Sequence, residues 1–348
     1  AGKMHREENE FLEAEAILKR RAVDLGDSPI DSLRRASLSS DQVIFWRGHF
    51  YIVQKVEFDE TSAESHCSAG SQSARTLCLT VLSLYATNMF SSGFKIWEAA
   101  LAVGEWLLSL EGKRKIEGKR VLELGAGSSG IISTCASITK CTKLLVTDSD
   151  ELMLEINKTN AFLNKEEAQE YQRYVAANNH YDSVEPNCDS DYLTNIEYET
   201  LDWGQIQCHQ NYCNSFDFIL ACEVLYSGVD LDGLVQVCST FLDEHGCIMV
   251  AVPPFDRGVL NATPMIEIFS EKLTNMAGQG SFSHCEQLII WKKKAIVGQD
   301  KVEEGEPEGE EHKTRDRAND NIGDYSSGNG KDMNNYHVAT LHFFTKVV

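Results

Sequence analysis

Residues 120–139 read RVLELGAGSSGIISTCASIT, and KLLVTDS follows at 143–149. The run RVLEL is too short for a helix and ends in glycines, which suits a buried strand that turns sharply. GIISTCASIT (130–139) then reads as a helix and KLLVTDS as a second strand. The unit is strand–helix–strand, which implies parallel pairing.

The same alternation continues down the chain. ELMLEINKTNAFLN (151–164) reads as a helix and NIEYETLDWG (195–204) as a third strand. FDFILACEVLY (216–226), GCIMVAVPP (246–254), SFSHCEQLIIWKK (281–293) and HVATLHFFTKVV (337–348) complete seven strands. Helices are expected over 231–243 and 264–278. Strands alternating with helices make a mostly parallel sheet covered on both faces, and right-handed crossovers largely fix its winding. No helix separates the last two strands, so they pair as an antiparallel hairpin. The expected fold is α/β and doubly wound, with a seven-stranded sheet and an antiparallel last strand. That ending differs from the six-stranded dinucleotide fold.

Upstream, the spacing predicts a helix over 7–24, a loop over 27–41 and a β-hairpin over 43–58. A polar loop spans 59–76, residues 77–85 fit either a strand or a short helix, and Phe94–Leu110 reads as a helix. The domain reading is an N-terminal extension over 1–89 and a main domain over 90–348. Polar insertions are expected at 165–192 and 297–335. The second carries eleven acids and five bases with no apolar pattern, so disorder is expected there.

Composition narrows the function classes. The formal net charge is −21, with 53 acids against 32 bases. Such a chain repels nucleic acid, whose binding rests on Lys and Arg neutralising phosphates, whereas a basic protein substrate would suit it. No apolar run approaches the roughly 18 residues of a membrane span, and the charged start AGKMHREENE lacks the apolar centre of a signal peptide. The eleven cysteines form no CxxC pair, and Cys208 and Cys213 around His209 fit no common zinc spacing. No metal is expected. Reduced thiols suit a cytoplasmic protein, with the nucleus as a second location. A monomer is expected.

Gly125, Gly127 and Gly130 fit GxGxxG at a strand-to-helix junction, where the backbone approaches a ligand and the helix start offers free N–H groups. This alone serves nicotinamide cofactors as well as S-adenosylmethionine. Asp148 ends the second strand, at the edge where a carboxylate accepts ribose hydroxyls from either cofactor. Glu123 discriminates. An acid beside the turn attracts the cationic groups of S-adenosylmethionine and repels a pyrophosphate by about 1 kcal/mol or more per charge at contact range.

Four stretches then resemble the seven-β-strand methyltransferases, and among them the family 16 protein-lysine methyltransferase group. They are FKIWEAALAVGEWLL before the first sheet strand, LELGAGSSG, LDWG at 201–204, and ACEVLY at 221–226. The resemblance covers roughly residues 90–255 and implies a Rossmann-like methyltransferase domain. It implies that Trp97 lines the cofactor pocket, and that Gly125, Ala126 and Gly127 approach the methionine part. Asp148 would hold the ribose, Trp203 would pack on adenine with Asp202 nearby, and Ala221 would lie under the cofactor. Glu223 and Tyr226 would face the methyl-accepting nitrogen. Glu223 stands where the family more often has aspartate.

The expected activity is S-adenosylmethionine-dependent methylation of a protein lysine. A histidine or small-molecule acceptor, a nicotinamide-dependent oxidoreductase, and a non-catalytic interaction protein are the competing readings. The oxidoreductase would need a catalytic domain after the sheet, and none is legible.

Overall fold

The computed structural model describes residues 23–24, 42–46, 49–59, 75–84, 96–178, 195–226, 228–252, 265–277, 281–292 and 336–347. The expected helix over 7–24 lies outside them except at its end, where Val23–Asp24 is a short strand, β1. The loops at 27–41 and 59–76 lie almost wholly outside, and the acidic stretch 297–335 lies entirely outside.

Two sheets form. The smaller is β1, β2 (Val43–Trp46), β3 (His49–Asp59) and β4 (Thr76–Leu84), paired in chain order. β2 and β3 form the expected hairpin. The stretch left open between strand and helix is strand β4, antiparallel to β3. Its alternating Leu77, Leu79 and Val81 are buried, as period-two patterning requires.

The larger sheet contains β5 (Arg120–Leu124), β6 (Lys143–Asp148), β7 (Ile196–Thr200), β8 (Phe216–Cys222), β9 (Leu242–Val252), β10 (Phe282–Lys292) and β11 (Tyr336–Lys346), in the order β10-β11-β9-β8-β5-β6-β7. β5 to β9 are parallel, and β11 runs antiparallel to both β9 and β10. This is the expected seven-stranded α/β sheet with a reversed last strand. β5, β6 and β8 are buried on both faces, which explains their continuous apolar runs.

Helices cover the faces: α1 (Glu98–Leu108), α2 (Leu110–Ile116), α3 (Ile131–Ile138), α4 (Glu151–Leu163), α5 (Lys165–Asn178), α6 (Leu231–Phe241) and α7 (Met265–Ala277). The single helix expected over 94–110 ends at Ser109. There the backbone turns extended, and the side chain caps α2 by accepting from the Gly112 N–H. Asp150 and Asp230 cap α4 and α6 in the same way. The first half of the polar stretch 165–192 is helix α5, which buries Ala168 and Tyr171 in the main core. At the sheet's lower end, Arg120 bonds Asp217 and Asp243, tying together the starts of β5, β8 and β9. The opposite, carboxyl ends of β5, β6 and β8 carry the site.

Candidate functional site

The site begins with an ionisable group in an apolar place. Glu123 lies inside β5, flanked by Leu122 and Leu124, and is only 3% exposed. Its Oε2 is buried with no hydrogen-bond partner among the described residues. Burial, reinforced by the nearby Asp148 carboxylate, pushes its pKa up to about 8. A protein interior tolerates such a group poorly unless something satisfies it. The required complement is a cation or a strong donor.

Asp148 sits at the end of β6, the neighbouring strand. Its Oδ2 accepts the Gly127 N–H at 2.9 Å and its Oδ1 the Asp150 N–H at 3.1 Å. Burial pushes this carboxyl up while those N–H groups hold it down, with a net rise. One carboxylate thus fixes both the glycine turn and the start of α4.

The turn has positive φ at Gly125, Gly127 and Gly130, and at the first and last of these a side chain would also collide. Gly125 has φ +63°. A Cβ there would come within 2.8 Å of Val224 Cγ1 and 3.6 Å of the Trp203 ring, so the turn, the tryptophan and the segment after β8 meet at one point. Gly130 has φ +68°, and a Cβ there would approach the Asn157 carbonyl at 2.9 Å. Ala126 donates its N–H to the Thr147 carbonyl, which holds the turn against β6.

The segment after β8 is anchored by Glu223. Its backbone has φ +54°, an uncommon conformation for a residue with a side chain. Its N–H bonds the Ala251 carbonyl, and its carboxylate accepts the Ala99 N–H at 2.8 Å. Ala99 lies in the first turn of α1, two residues after Trp97, which caps that helix with extended backbone. Glu223 therefore ties the strand end to the helix start that carries Trp97. Ala221 is fully buried in β8, in register with Leu124 and Val250.

The expected residues thus gather at one sheet edge. Glu123, Gly125, Ala126, Gly127 and Asp148 form the turn; Trp203 touches it; Ala221 lies in the strand beside it; Trp97 and Glu223 are joined through α1. Asp202 and Tyr226 stand further out. The Asp202 carboxylate is exposed and caps the 3-10 segment Trp203–Tyr212, accepting from the Gly204 N–H and the Gln205 amide. Tyr226 is 54% exposed. Sequence reading missed Val224, which contacts the turn, and Asn157 and Asn160. The last two donate to the Gly127 and Ser128 carbonyls at 3.1 and 2.8 Å. Their i, i+3 spacing in NKTNAFLN was the available signal. No cluster of three or more potential metal ligands exists among the described residues.

The chain is 24% identical over 172 residues to the protein-lysine N-methyltransferase EFM3 of Chaetomium thermophilum, covering 48% of this chain and 44% of that relative. The chain therefore spans less than half the length of the curated relative it matches. Among solved structures, a Streptococcus mutans protein assigned as an S-adenosylmethionine-dependent methyltransferase is 14% identical, with a TM-score of 0.41 over 77% of this chain and 53% of its own. The tRNA (m1A58) methyltransferase of Aquifex aeolicus is 12% identical, with a TM-score of 0.38 over 73% and 70%. Residues 80–180, which run from β4 through the glycine turn and α5, match a family described as lysine methyltransferase.

Proposed function

We propose that this chain is an S-adenosylmethionine-dependent methyltransferase that methylates a lysine side chain of a protein substrate. The observation that carries the reading is the buried Glu123 carboxyl beside Asp148 at the glycine turn, within a stretch that matches a lysine methyltransferase family. S-Adenosylmethionine supplies a methyl group on a sulfonium sulfur, together with an ammonium group and no phosphate. The residues present fit such a molecule. Ionised, Glu123 satisfies its buried oxygen with a cation and disfavours a pyrophosphate. Asp148 has further lone pairs to accept ribose hydroxyls. Gly125 and Gly127 let the backbone approach. Trp203, its ring edge at the turn, offers an apolar face for a purine. Ala221 keeps the floor flat, Trp97 closes the side at the start of α1, and Asp202 holds the segment that carries Trp203.

The acceptor must arrive uncharged, because a lysine ammonium, with an ordinary pKa of about 10.4, has no free lone pair. Glu223 and Tyr226 stand on the segment that leads from β8 to the surface, where they orient the entering amine. Partial burial there favours the neutral form. When bound, S-adenosylmethionine would supply the methyl group to the amine that Glu223 and Tyr226 orient, and water on the exposed side by Tyr226 would take the proton released from the nitrogen. Positioning supplies the acceleration.

Calorimetry tests the cofactor. S-Adenosylmethionine is expected to bind and NAD is not; binding of NAD alone reverses the assignment. Labelled methyl groups transferred to a protein and mapped to lysine by mass spectrometry test the acceptor, and a histidine adduct redirects it. The charge of −21 favours a basic substrate. The KM for that substrate should rise severalfold between about 50 and 200 mM salt, as screening weakens the attraction. A KM indifferent to salt removes this reading of the charge. We also propose monomeric action in the cytoplasm or nucleus. The described cysteines, all free thiols, fit a reducing compartment, and sedimentation reads the oligomeric state.

A further inference from the structure

Strand β4 pairs with β3 on one side and would present bare N–H and C=O groups on the other. Helix α4 and its C-cap residue Asn164 cover that edge with amide side chains. Asn164 accepts the Thr80 N–H at 2.6 Å and donates to the Thr80 carbonyl at 2.8 Å. One turn earlier, Asn160 accepts the Leu82 N–H at 2.8 Å and donates to the Leu82 carbonyl at 3.2 Å. In α5, Glu167 approaches the Cys78 N–H at 3.4 Å. The match is geometric. Four helical residues rise about 6 Å, and two strand residues about 6.7 Å. The carboxamides therefore imitate a partner strand.

Asn160 is fully buried, and its second amide hydrogen goes to the Ser128 carbonyl in the glycine turn at 2.8 Å. Asn157, also fully buried, donates to the Gly127 carbonyl and accepts from Ser133. A single side chain thus holds the turn with one hydrogen and the edge of the smaller sheet with the other.

We infer that Asn160 is a positioning residue that couples the smaller sheet to cofactor binding. Ordering of the turn by S-adenosylmethionine tightens the β4 edge, and loosening that edge weakens the cofactor. The inference rests on the proposed cofactor. All three polar bonds of the Asn160 amide must hold together, because each buried group left unmatched is costly.

The test uses the full chain with S-adenosylhomocysteine as probe. Amide hydrogen exchange is followed at Leu82, whose N–H bonds Asn160, and at Ile248, deep in β9, where exchange reads global unfolding. In the wild type, the probe should slow Leu82 more than Ile248, by about tenfold. Asn160→Asp keeps the acceptor for the Leu82 N–H but removes the donors to Ser128 and Leu82. It should bind the probe about tenfold more weakly, and Asn164→Leu, which loosens the β4 edge without touching the turn, should weaken the probe by a smaller factor of about threefold. If Asn160→Asp does not fold, the wild-type exchange decides alone. Equal slowing at Leu82 and Ile248, or a folded Asn160→Asp with unchanged affinity, overturns the coupling and leaves the cofactor assignment standing. A wild type that binds no probe overturns both.

Discussion

Glu123 is the carboxyl that the proposed function sets against the cofactor's positive charge, and its raised pKa makes a signed prediction. A carboxyl raised from the usual 4.5 to about 8 by burial is comfortable in the fold only when protonated. Its contribution to stability is complete below the unfolded pKa and is lost as pH rises through 8. Without cofactor, the melting temperature should therefore fall between pH 6 and 9, and Glu123→Gln should flatten that fall and melt roughly 5 °C higher at pH 9. Binding a cation reverses the preference by pulling the Glu123 pKa down, so a proton is released on binding near pH 7. Affinity for S-adenosylmethionine should rise severalfold from pH 6 to 7, and calorimetric enthalpies should vary with the ionisation enthalpy of the buffer. Glu123→Gln should bind at least tenfold more weakly and release no proton. A wild type that binds without proton release would show that Glu123 faces something other than the ammonium group. This residue was legible in sequence because a charge inside VLEL contradicts its surroundings. Asn160 left only its i, i+3 spacing with Asn157 as a signal, because an asparagine on a polar helix reads as an exposed one until β4, far upstream in sequence, is seen against it.

At the level of elements, Glu223 links the end of β8 to the start of α1, and this suggests two separable contributions. Its carboxylate accepts the Ala99 N–H, as a helix cap does, and it stands on the segment assigned to the entering amine. Glu223→Gln keeps an acceptor for Ala99 and removes the charge, whereas Glu223→Ala removes both. The expected outcome for Gln is an unchanged melting temperature, cofactor affinity within about twofold, and turnover down by at least tenfold. Ala should lose about 1 kcal/mol of capping as well, seen as a lower melting temperature and weaker cofactor binding through displaced Trp97. A Gln variant with full turnover would reduce Glu223 to a cap. The main sheet was legible because period, length and glycine punctuation agreed from β5 to β9, and the lack of a helical pattern in the sequence between the last two strands announced the reversal. The break between α1 and α2 was harder to read. Apolar spacing runs on through Leu108 and Leu110, and only the Ser109 side chain, bonded to Gly112, explains why the helix stops.

At the scale of the whole molecule, the two sheets share one interior. Val56 and Phe58 of β3 and Leu77, Leu79 and Val81 of β4 belong to the same buried cluster as Leu101 of α1, Ile131 of α3 and Val121 of β5. The contact is close. A Cβ on Gly104 in α1 would meet the Phe58 ring at 3.0 Å and Ile131 at 3.2 Å, so the missing side chain on α1 is what admits the ring. Nothing in local periodicity pairs Phe58 with Gly104, so the sequence allowed the hairpin to be recognised but not what it packs against. Buried contact of this kind makes unfolding cooperative. Phe58→Ala removes a fully buried ring and should cost about 3–5 kcal/mol, which for a chain of this size lowers the melting temperature by roughly 10 °C. The loss should not stay in the smaller sheet. Tryptophan fluorescence reads Trp46 in β2 together with Trp106 in α1, and far-ultraviolet dichroism is dominated by the helices of the main domain; both should move together, in one transition, with cofactor binding lost at the same temperature. An early fluorescence transition that leaves the helices and cofactor binding intact would make the smaller sheet a separable attachment. The shared core argues for the single transition, because α1, the helix that begins at Trp97 and is tied to Glu223, is the surface on which Phe58 rests.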